Sequence, residues 1–538
     1  MATTSSSAGE WKKRSVVSSF IMKADDDQRP RVALFRRSDK VSTYQHHLAP
    51  ISGTIDPASD PSPLAAAWRE LKEETTLTPT SLAFLRQGKP YTFTDASIRR
   101  EWTVHPFLFR LKNPATDEQQ IQIDWEHEGW EWHDPDRVIR DADAAEYKDF
   151  PGGVPRLAQS LRRVWFETDL GPAASKVLSV GLESLARDHD SGARQMAGAA
   201  LLTLRRVIAE MDEPGKNGRV EEWWEKLRFG AWHLWKNGRE SMGAAIMSAL
   251  LAALASIEQA MQKTAEPGSL REVVLRKLDA RIAARQEAAK RVSHAFAAYL
   301  EKTFPSKLAS REPISVLTLS ESSTIRQGLR DAAVESGFLL DLHVLESRPL
   351  YEGVSLAGSV AEDLIGSLSS PGAEHKITIY SDASAALAAS GIDAVVLGAD
   401  RIAASGAVSN KTGSLPAVLS AKRVCPGAKV IVLGESDKIA PPGRPEDHVV
   451  EDNDPTQISR AWTAEYNSPR VRGAAAAMQK SDSRPSSVKF EIRNVFFEWV
   501  PASLIDAYVT EAGEWTVQQI ARHSEKLQAE QERFFGSL

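Results

Sequence analysis

Two groups of side chains in this 538-residue chain have the types and spacing to do chemistry. The first is Glu70, Glu73 and Glu74, in the run Arg69-Glu70-Leu71-Lys72-Glu73-Glu74. At i, i+3 and i+4, three carboxylates share one face of a helix. Crowded like charges are unfavourable unless a cation lies among them, and hard oxygen ligands suit Mg²⁺ or Mn²⁺. The second group is Asp400, Arg401, Asn410 and Lys411, in Gly398-Ala-Asp-Arg-Ile and Asn410-Lys-Thr-Gly-Ser. A carboxylate, an amide and two cations brought together suit a phosphorylated, hydroxyl-bearing ligand.

The surrounding sequence predicts what positions them. Ser62 is a helix N-cap and Pro63 fits the first helical position, so the acids ride on a helix. Ser15–Met22 and Arg31–Phe35 are β-rich runs split by polar residues, which predicts a hairpin; Trp102–Leu108 and Gln120–Ile123 read as further strands. From Ala173 to about Thr303 apolar residues recur at helical steps, with Trp224, Trp232 and Trp235 expected in a core. After Pro305 the apolar runs Ile314–Leu319, Leu339–Leu345, Ile377–Tyr380, Ala394–Leu397 and Val430–Leu433 alternate with helical patterns. That is the pattern of a doubly wound parallel sheet, which binds ligands at the carboxyl ends of its strands. Ser320, Arg348, Asp400 and Lys438 follow such runs, and a helix with Leu415, Val418 and Leu419 on one face follows Lys411.

Bulk composition narrows the class. There are 66 basic and 72 acidic residues, a net charge of −6, which argues against a general nucleic-acid binder. A lone cysteine, Cys425, permits no disulfide within the chain and fits a reducing compartment. Residues 1–10 are polar, expected to be disordered, and contain no apolar signal core. Gly243–Ser256, the most apolar segment, is too short to span a bilayer and reads as a buried helix. The expectation is a cytoplasmic protein with no membrane partner.

The acidic helix resembles the Nudix box, whose pattern is Gly, five residues, Glu, seven residues, then Arg-Glu-apolar-x-Glu-Glu-x-Gly-apolar. Arg69-Glu70-Leu71-Lys72-Glu73-Glu74 matches its core and Leu77 its last apolar position. Three departures stand out: Gly53 lies two residues too far upstream, the first Glu falls on Pro61 with Asp60 beside it, and Thr76 replaces the second glycine. The segment from Glu126-His127-Glu128 into Trp130 and Trp132, and the helix after Gly153, resemble the later parts of such domains. The resemblance implies an α/β/α sandwich over residues 11–168. It implies a metal held by Glu70, Glu73 and Glu74, Arg69 bracing the helix, and hydrolysis of a nucleoside diphosphate-linked compound.

The second half resembles the translation initiation factor 2B α/β/δ subunits and their relatives, methylthioribose-1-phosphate and ribose-1,5-bisphosphate isomerases. The resemblance is carried by Gly398-Ala-Asp-Arg-Ile with Asn410-Lys-Thr-Gly-Ser, by Arg348-Pro-Leu-Tyr-Glu-Gly353, by Gly434-Glu-Ser-Asp-Lys438 and by Phe490–Pro501. It implies a helical subdomain over 173–307, a Rossmann-like domain over 308–520 and a helical tail over 521–538, with a homodimer formed through the C-terminal domain. Arg239, Ser320, Arg348, Asp400, Asn410, Lys411 and Lys438 would bind a phosphorylated sugar or nucleotide. In the isomerases a Cys stands where Ser320 stands here, and Leu319 replaces a His. A hydroxyl is a far weaker acid than a thiol. The expectation is therefore ligand binding without interconversion; a non-catalytic regulatory protein and an aldose–ketose isomerase remain the alternatives. Arg470–Ser487, rich in Ala, Ser and Arg, reads as a mobile insertion.

Overall fold

A computed structural model describes the chain except residues 1–10, 26, 146–147, 190, 216–218, 264–269, 366–373, 449 and 482–489. The tail expected over 1–10 and the end of the expected insertion lie outside the described residues. The rest of that insertion, Pro469–Ser481, is a helix. Its Ala-rich run has high helix propensity, and that propensity outweighs the small, polar composition that suggests a mobile segment. Packing divides the chain into two units, one comprising Met1–Ser184, Arg206–Gly238 and Leu538, the other Leu185–Arg205 and Arg239–Ser537.

The first unit is organised on the strand Lys12–Ala24, antiparallel to Pro30–Arg37 and parallel to Arg100–Leu111. Alternate residues of this strand serve two cores. Val17 and Ile21 pack with Ala67 and Leu71 of the helix Pro63–Thr75. Phe20 and Met22 pack on the opposite side with Val138, Ile139 and Leu161 of two later helices. The result is a sheet with helices on both faces. Gln120–Ile123, expected as a strand, is not one. Ile121 and Ile123 do pack on the core, but the Gln122 N–H donates to Thr75 O at 3.2 Å, at the end of the acidic helix. Alternating apolar residues thus mark a coil half-buried against the core.

The second unit holds a seven-stranded sheet in the order Lys376–Tyr380, Leu340–Leu345, Ile314–Leu319, Ala394–Leu397, Lys429–Leu433, Ala507–Thr510 and Gly513–Trp515. All neighbours are parallel except the last pair. The first six strands run 3-2-1-4-5-6 in chain order, the Rossmann-like arrangement. Val316, Leu342, Val396 and Ile431 form its core with Val292, Phe296 and Leu300 of the long helix Leu270–Thr303. The helix Gly243–Lys263 is long and apolar enough to cross a membrane, but 78% of its apolar window is buried in the protein. Asn410 and Lys411 lie on a strand, Val408–Lys411, of a small three-stranded sheet. The following helix buries Ala417, Val418 and Ala421, while Leu419 is 51% exposed rather than on the packed face.

Candidate functional sites

The acidic helix begins as its sequence requires. Ser62 Oγ accepts the Ala65 N–H at 3.1 Å, with Pro63 in the first turn. It ends at Thr76, in the left-handed region at φ 62°, whose N–H donates to Lys72 O. A threonine therefore adopts the conformation that usually selects glycine, and its hydroxyl donates to Gln120 O at 2.8 Å.

Arg69 ties this helix to the loop before it. Its Nε and Nη2 donate to the two oxygens of Asp60 at 3.0 and 2.9 Å, and Nη2 also reaches Thr54 O. Its Nη1 donates to Glu70 at 2.8 Å and Glu73 at 3.1 Å. The bidentate Arg69 fork holds the Asp60 carboxyl below the usual range. Asp60 thus meets Arg69 from beside the position where the Nudix pattern has Glu.

The three expected metal ligands do not all face the same way. Glu70 and Glu74 are buried, whereas the Glu73 side chain is 56% exposed and stays with Arg69. Burial pushes the Glu70 carboxyl up. Burial, followed by the charges of Glu70 and Glu126, pushes Glu74 well up. Glu126 is also raised, by burial and by Asp124. His127 Nε2 lies 3.5 Å from Glu74, and burial lowers its pKa. The acids whose charges bear most on Glu74 are therefore Glu70 and Glu126, not Glu73. Glu126 was visible in the sequence only as part of an acidic–His pair ahead of an aromatic strand. A Cβ at position 53 would sit 1.9 Å from Glu70 Oε1, so any larger residue there would displace the Glu70 carboxylate. A cavity of about 320 Å³ opens beside Glu70 and Glu126 and is lined also by Arg37, Tyr44, Phe93 and Trp102.

In the second unit the strand order reverses between Ile314–Leu319 and Ala394–Leu397, and open sheets of this kind bind ligands at such a switch point. A cavity of about 480 Å³ lies there. It is lined by Arg239, Ser320, Asp400, Asn410, Lys411 and Lys438, which the fold collects from separated segments. Arg348 is not among its lining residues. The Arg348 side chain is half exposed, donates to Tyr351 Oη at 2.8 Å and pairs with Glu346 at 3.4 Å. Arg401 likewise sits apart, against His448 at 3.3 Å.

Three of the cavity cations each face a carboxylate, and Arg194 lies 4.0 Å from Glu435 as well. Lys411 pairs with Glu352 at 2.9 Å, Arg239 with Glu451 at 2.7 Å and Lys438 with Glu435 at 3.5 Å. Burial raises the Asp400 carboxyl, opposed by Lys438, Lys411 and Arg239. Ser320, at φ 63°, donates its N–H to Ser347 Oγ at 2.8 Å. Arg194 and Glu352 also line the cavity; neither was singled out, although Glu352 stands inside the segment Arg348–Gly353. Arg194 Nη2 donates to Ser323 Oγ at 2.8 Å, at the start of the helix Ser323–Val334. Cys425 caps a helix and donates to Ile392 O at 3.2 Å, a structural contact.

Residues 189–517 match the model of the Initiation factor 2 subunit family. The chain belongs to that family. Residues 12–151 match the NUDIX domain, so a Nudix domain and an initiation factor 2 family domain share one chain. The first part is similar to the Bis(5'-nucleosyl)-tetraphosphatase [asymmetrical] of Caenorhabditis elegans. That match is 33% identical over 101 residues, 19% of this chain and 68% of that one. The second part is similar to methylthioribose-1-phosphate isomerases. Identity is 30% over 191 residues for that of Syntrophotalea carbinolica, covering 35% of this chain and 46% of that one. It is 28% over 265 residues for that of Desulforudis audaxviator, covering 48% and 65%. The chain thus spans less than two thirds of the length of these isomerases. Among solved structures, the Pyrococcus horikoshii OT3 translation initiation factor eIF-2B superposes with a TM-score of 0.42 at 17% identity, over 64% of this chain and 97% of that one.

Proposed function

We propose that the first unit hydrolyses a phosphoanhydride in a nucleoside diphosphate-linked compound, using a divalent metal. The observation that carries this reading is the burial of Glu70 and Glu74 together, with the Glu126 charge acting on Glu74, Arg69 pairing with Glu70 and, among the described residues, no Lys or Arg within ion-pair distance of Glu74. Buried acids of this kind hold protons or a cation. An all-oxygen donor set of carboxylates fits Mg²⁺ or Mn²⁺. Glu70, Glu74 and Glu126 would hold it, with Glu73 at the rim in the Arg69 pair. Mg²⁺ bound there supplies neutralisation of the diphosphate and a more acidic water. Arg69 fixes Glu70 against the Asp60 loop, and His127 backs Glu74. The similarity to a nucleosyl-tetraphosphatase supports the same class of substrate. The test is Mg²⁺-dependent release of nucleotide from a panel of dinucleoside polyphosphates, nucleotide sugars and ADP-ribose. Glu70→Gln and Glu74→Gln should each lower kcat by about 100-fold or more, the scale of losing a positioned acid–base group. Unchanged turnover in both would reject the assignment.

For the second unit we infer a binding site for a phosphorylated sugar or nucleotide, without isomerisation. Asp400, Asn410 and Lys411 offer acceptor, amide and cation around one cavity. Moving a hydrogen between adjacent carbons needs a group that gives and takes a proton. Ser320, in place of the Cys of the isomerases, is too weak an acid for that. Binding of ribose-5-phosphate and AMP, measured by calorimetry, should vanish in Lys411→Ala. Any aldose–ketose interconversion that Ser320→Ala abolishes would reverse this reading. A cytoplasmic homodimer is the setting we propose, on the single free cysteine and the family resemblance.

A further inference from the structure

The cavity beside Glu70 and Glu126 contains a cation that nothing above uses. Arg37 is half-buried at the end of its strand, where a bulge interrupts pairing with the strand His127–His133. Its Nε donates to Thr43 O at 3.1 Å. Among the described residues no carboxylate lies within ion-pair distance of it, although Glu126 and Glu74 act on its charge from farther away. A guanidinium removed from water and left without a near anion is costly. Facing a cavity beside carboxylates fit to hold a metal, it is positioned to meet an anion that the metal also binds.

Part of the same lining is aromatic. Strand Tyr91–Asp95 pairs antiparallel with Arg100–Leu111 so that Phe93 faces Trp102 in register. Tyr91 and Phe93 stack with ring centroids 6.1 Å apart and planes at 22°. Alternation sends Thr92 and Thr94 to solvent, while Phe93 and Trp102 line the cavity. Tyr44 also lines the cavity, with its hydroxyl donating to Asp95 at 2.6 Å.

We propose that Arg37 is a positioning residue that grips the non-bridging oxygens of the substrate's diphosphate, and that Phe93 and Trp102 receive its planar heterocycle. This rests on the hydrolase reading of the same site, and it assigns the recognition of the substrate to residues outside the Nudix box. The arginine fork matches phosphate oxygens two at a time, and aromatic side chains contact a base through its π-face whatever its edge pattern. The aromatic lining therefore distinguishes a nucleotide from bare pyrophosphate, whereas Arg37 serves both.

Two probes separate the roles. Binding of ADP and of inorganic pyrophosphate to the full chain is measured by calorimetry in EDTA, so that no turnover occurs. Arg37→Gln should weaken both ligands by about 10-fold or more, the scale of a charge-assisted hydrogen bond, and Arg37→Lys should recover part of the loss. Phe93→Ala and Trp102→Ala should weaken ADP by about 5- to 100-fold and leave pyrophosphate unchanged. Equal effects of Phe93→Ala on both ligands, or an unaltered pyrophosphate affinity in Arg37→Gln, would overturn the assignment. So would failure of the wild-type chain to bind either ligand. Thermal melts exclude misfolding, and Phe93→Leu gives a second route if the alanine variant fails to fold. In Mg²⁺, Arg37→Gln should raise KM more than it lowers kcat. If no diphosphate is hydrolysed yet the binding pattern holds, the hydrolase reading fails and this recognition surface stands.

Discussion

Glu74 lies buried beside Glu70 and within reach of the charge on Glu126, with a histidine as its neighbour. Arg239, Lys411 and Lys438 also lie largely buried, but each against a carboxylate from the same unit. In the first site Arg69 answers Glu70, but Glu74 has no Lys or Arg partner among the described residues and needs a cation or a proton; in the second the three cations are paired before any ligand arrives. The difference teaches that charged residues around a cavity are not one kind of signal. Uncompensated like charge implies a missing ion and chemistry that uses it. Pre-paired charge implies a shaped polar cleft, where a ligand gains only by exchanging partners and binding depends on geometry.

Breaking a pair should therefore be damaging in the second unit, and removing a charge should be helpful in the first. The largest effect belongs to Glu451→Gln. The Arg239 and Glu451 side chains are only 5% and 17% exposed, so the variant strands a buried guanidinium. Removal of one partner from a buried pair costs about 3 kcal/mol, and urea unfolding of the second unit should show a loss of that order. Little change would mean that Arg239 finds water or Asp400, and the pre-paired picture would go with it.

Next in size is Glu74→Gln. With no metal, it relieves like-charge crowding and should stabilise the first unit by about 1 kcal/mol. It should also remove the rise in Tm that Mg²⁺ gives the wild type, which reaches about 2.7 kcal/mol of stabilisation at a hundredfold excess over Kd. The pH dependence has a fixed sign. A carboxyl raised on folding contributes most below its unfolded value near 4.5 and loses that contribution as pH rises through the folded value. In EDTA the first unit should weaken from mildly acidic towards alkaline pH, and Mg²⁺ should flatten the slope. A slope of opposite sign would show that Glu74 is already paired.

Much of this contrast was legible in the chain, for identifiable reasons. Ile314–Leu319 and Ala394–Leu397 were read to the residue because parallel strands covered on both faces become unbroken apolar runs. The acidic helix announced itself by Ser62, Pro63 and the spacing of its glutamates. Pairing across distance was not legible. Glu451 lies 212 residues from Arg239, and nothing local marks it as that arginine's partner. Side-chain direction was equally hidden: Glu73 shares a helix face with Glu70 in projection, yet Arg69 holds it at the solvent edge. Arg348 stays off the cavity lining for a local reason, since Tyr351 and Glu346 offer it partners within a few residues. Thr76 shows the converse, because a left-handed cap can be met without glycine when a hydroxyl finds a carbonyl.

The smallest expected effect sharpens the comparison from the side of the paired cleft. His448 lies beside Arg401, with Glu451 acting on it from farther off. Burial first, and then the Arg401 charge, lower its pKa from the usual 6.5 to about 4. A depressed group contributes stability above its unfolded pKa and loses it as pH falls through the folded one. The second unit should therefore weaken as pH drops from about 6.5 towards 4, a window in which the first unit, with Glu74 taking up its proton, gains. Because the imidazole is partly open to solvent, the contribution at pH 5 should be under about 1 kcal/mol. His448→Gln should blunt the acid slope of the second unit while leaving the first unit's slope in EDTA as it was. If both slopes moved together, the two charge networks would not be separable, and the contrast between an ion-seeking site and a pre-neutralised one would have to be replaced by a single shared titration.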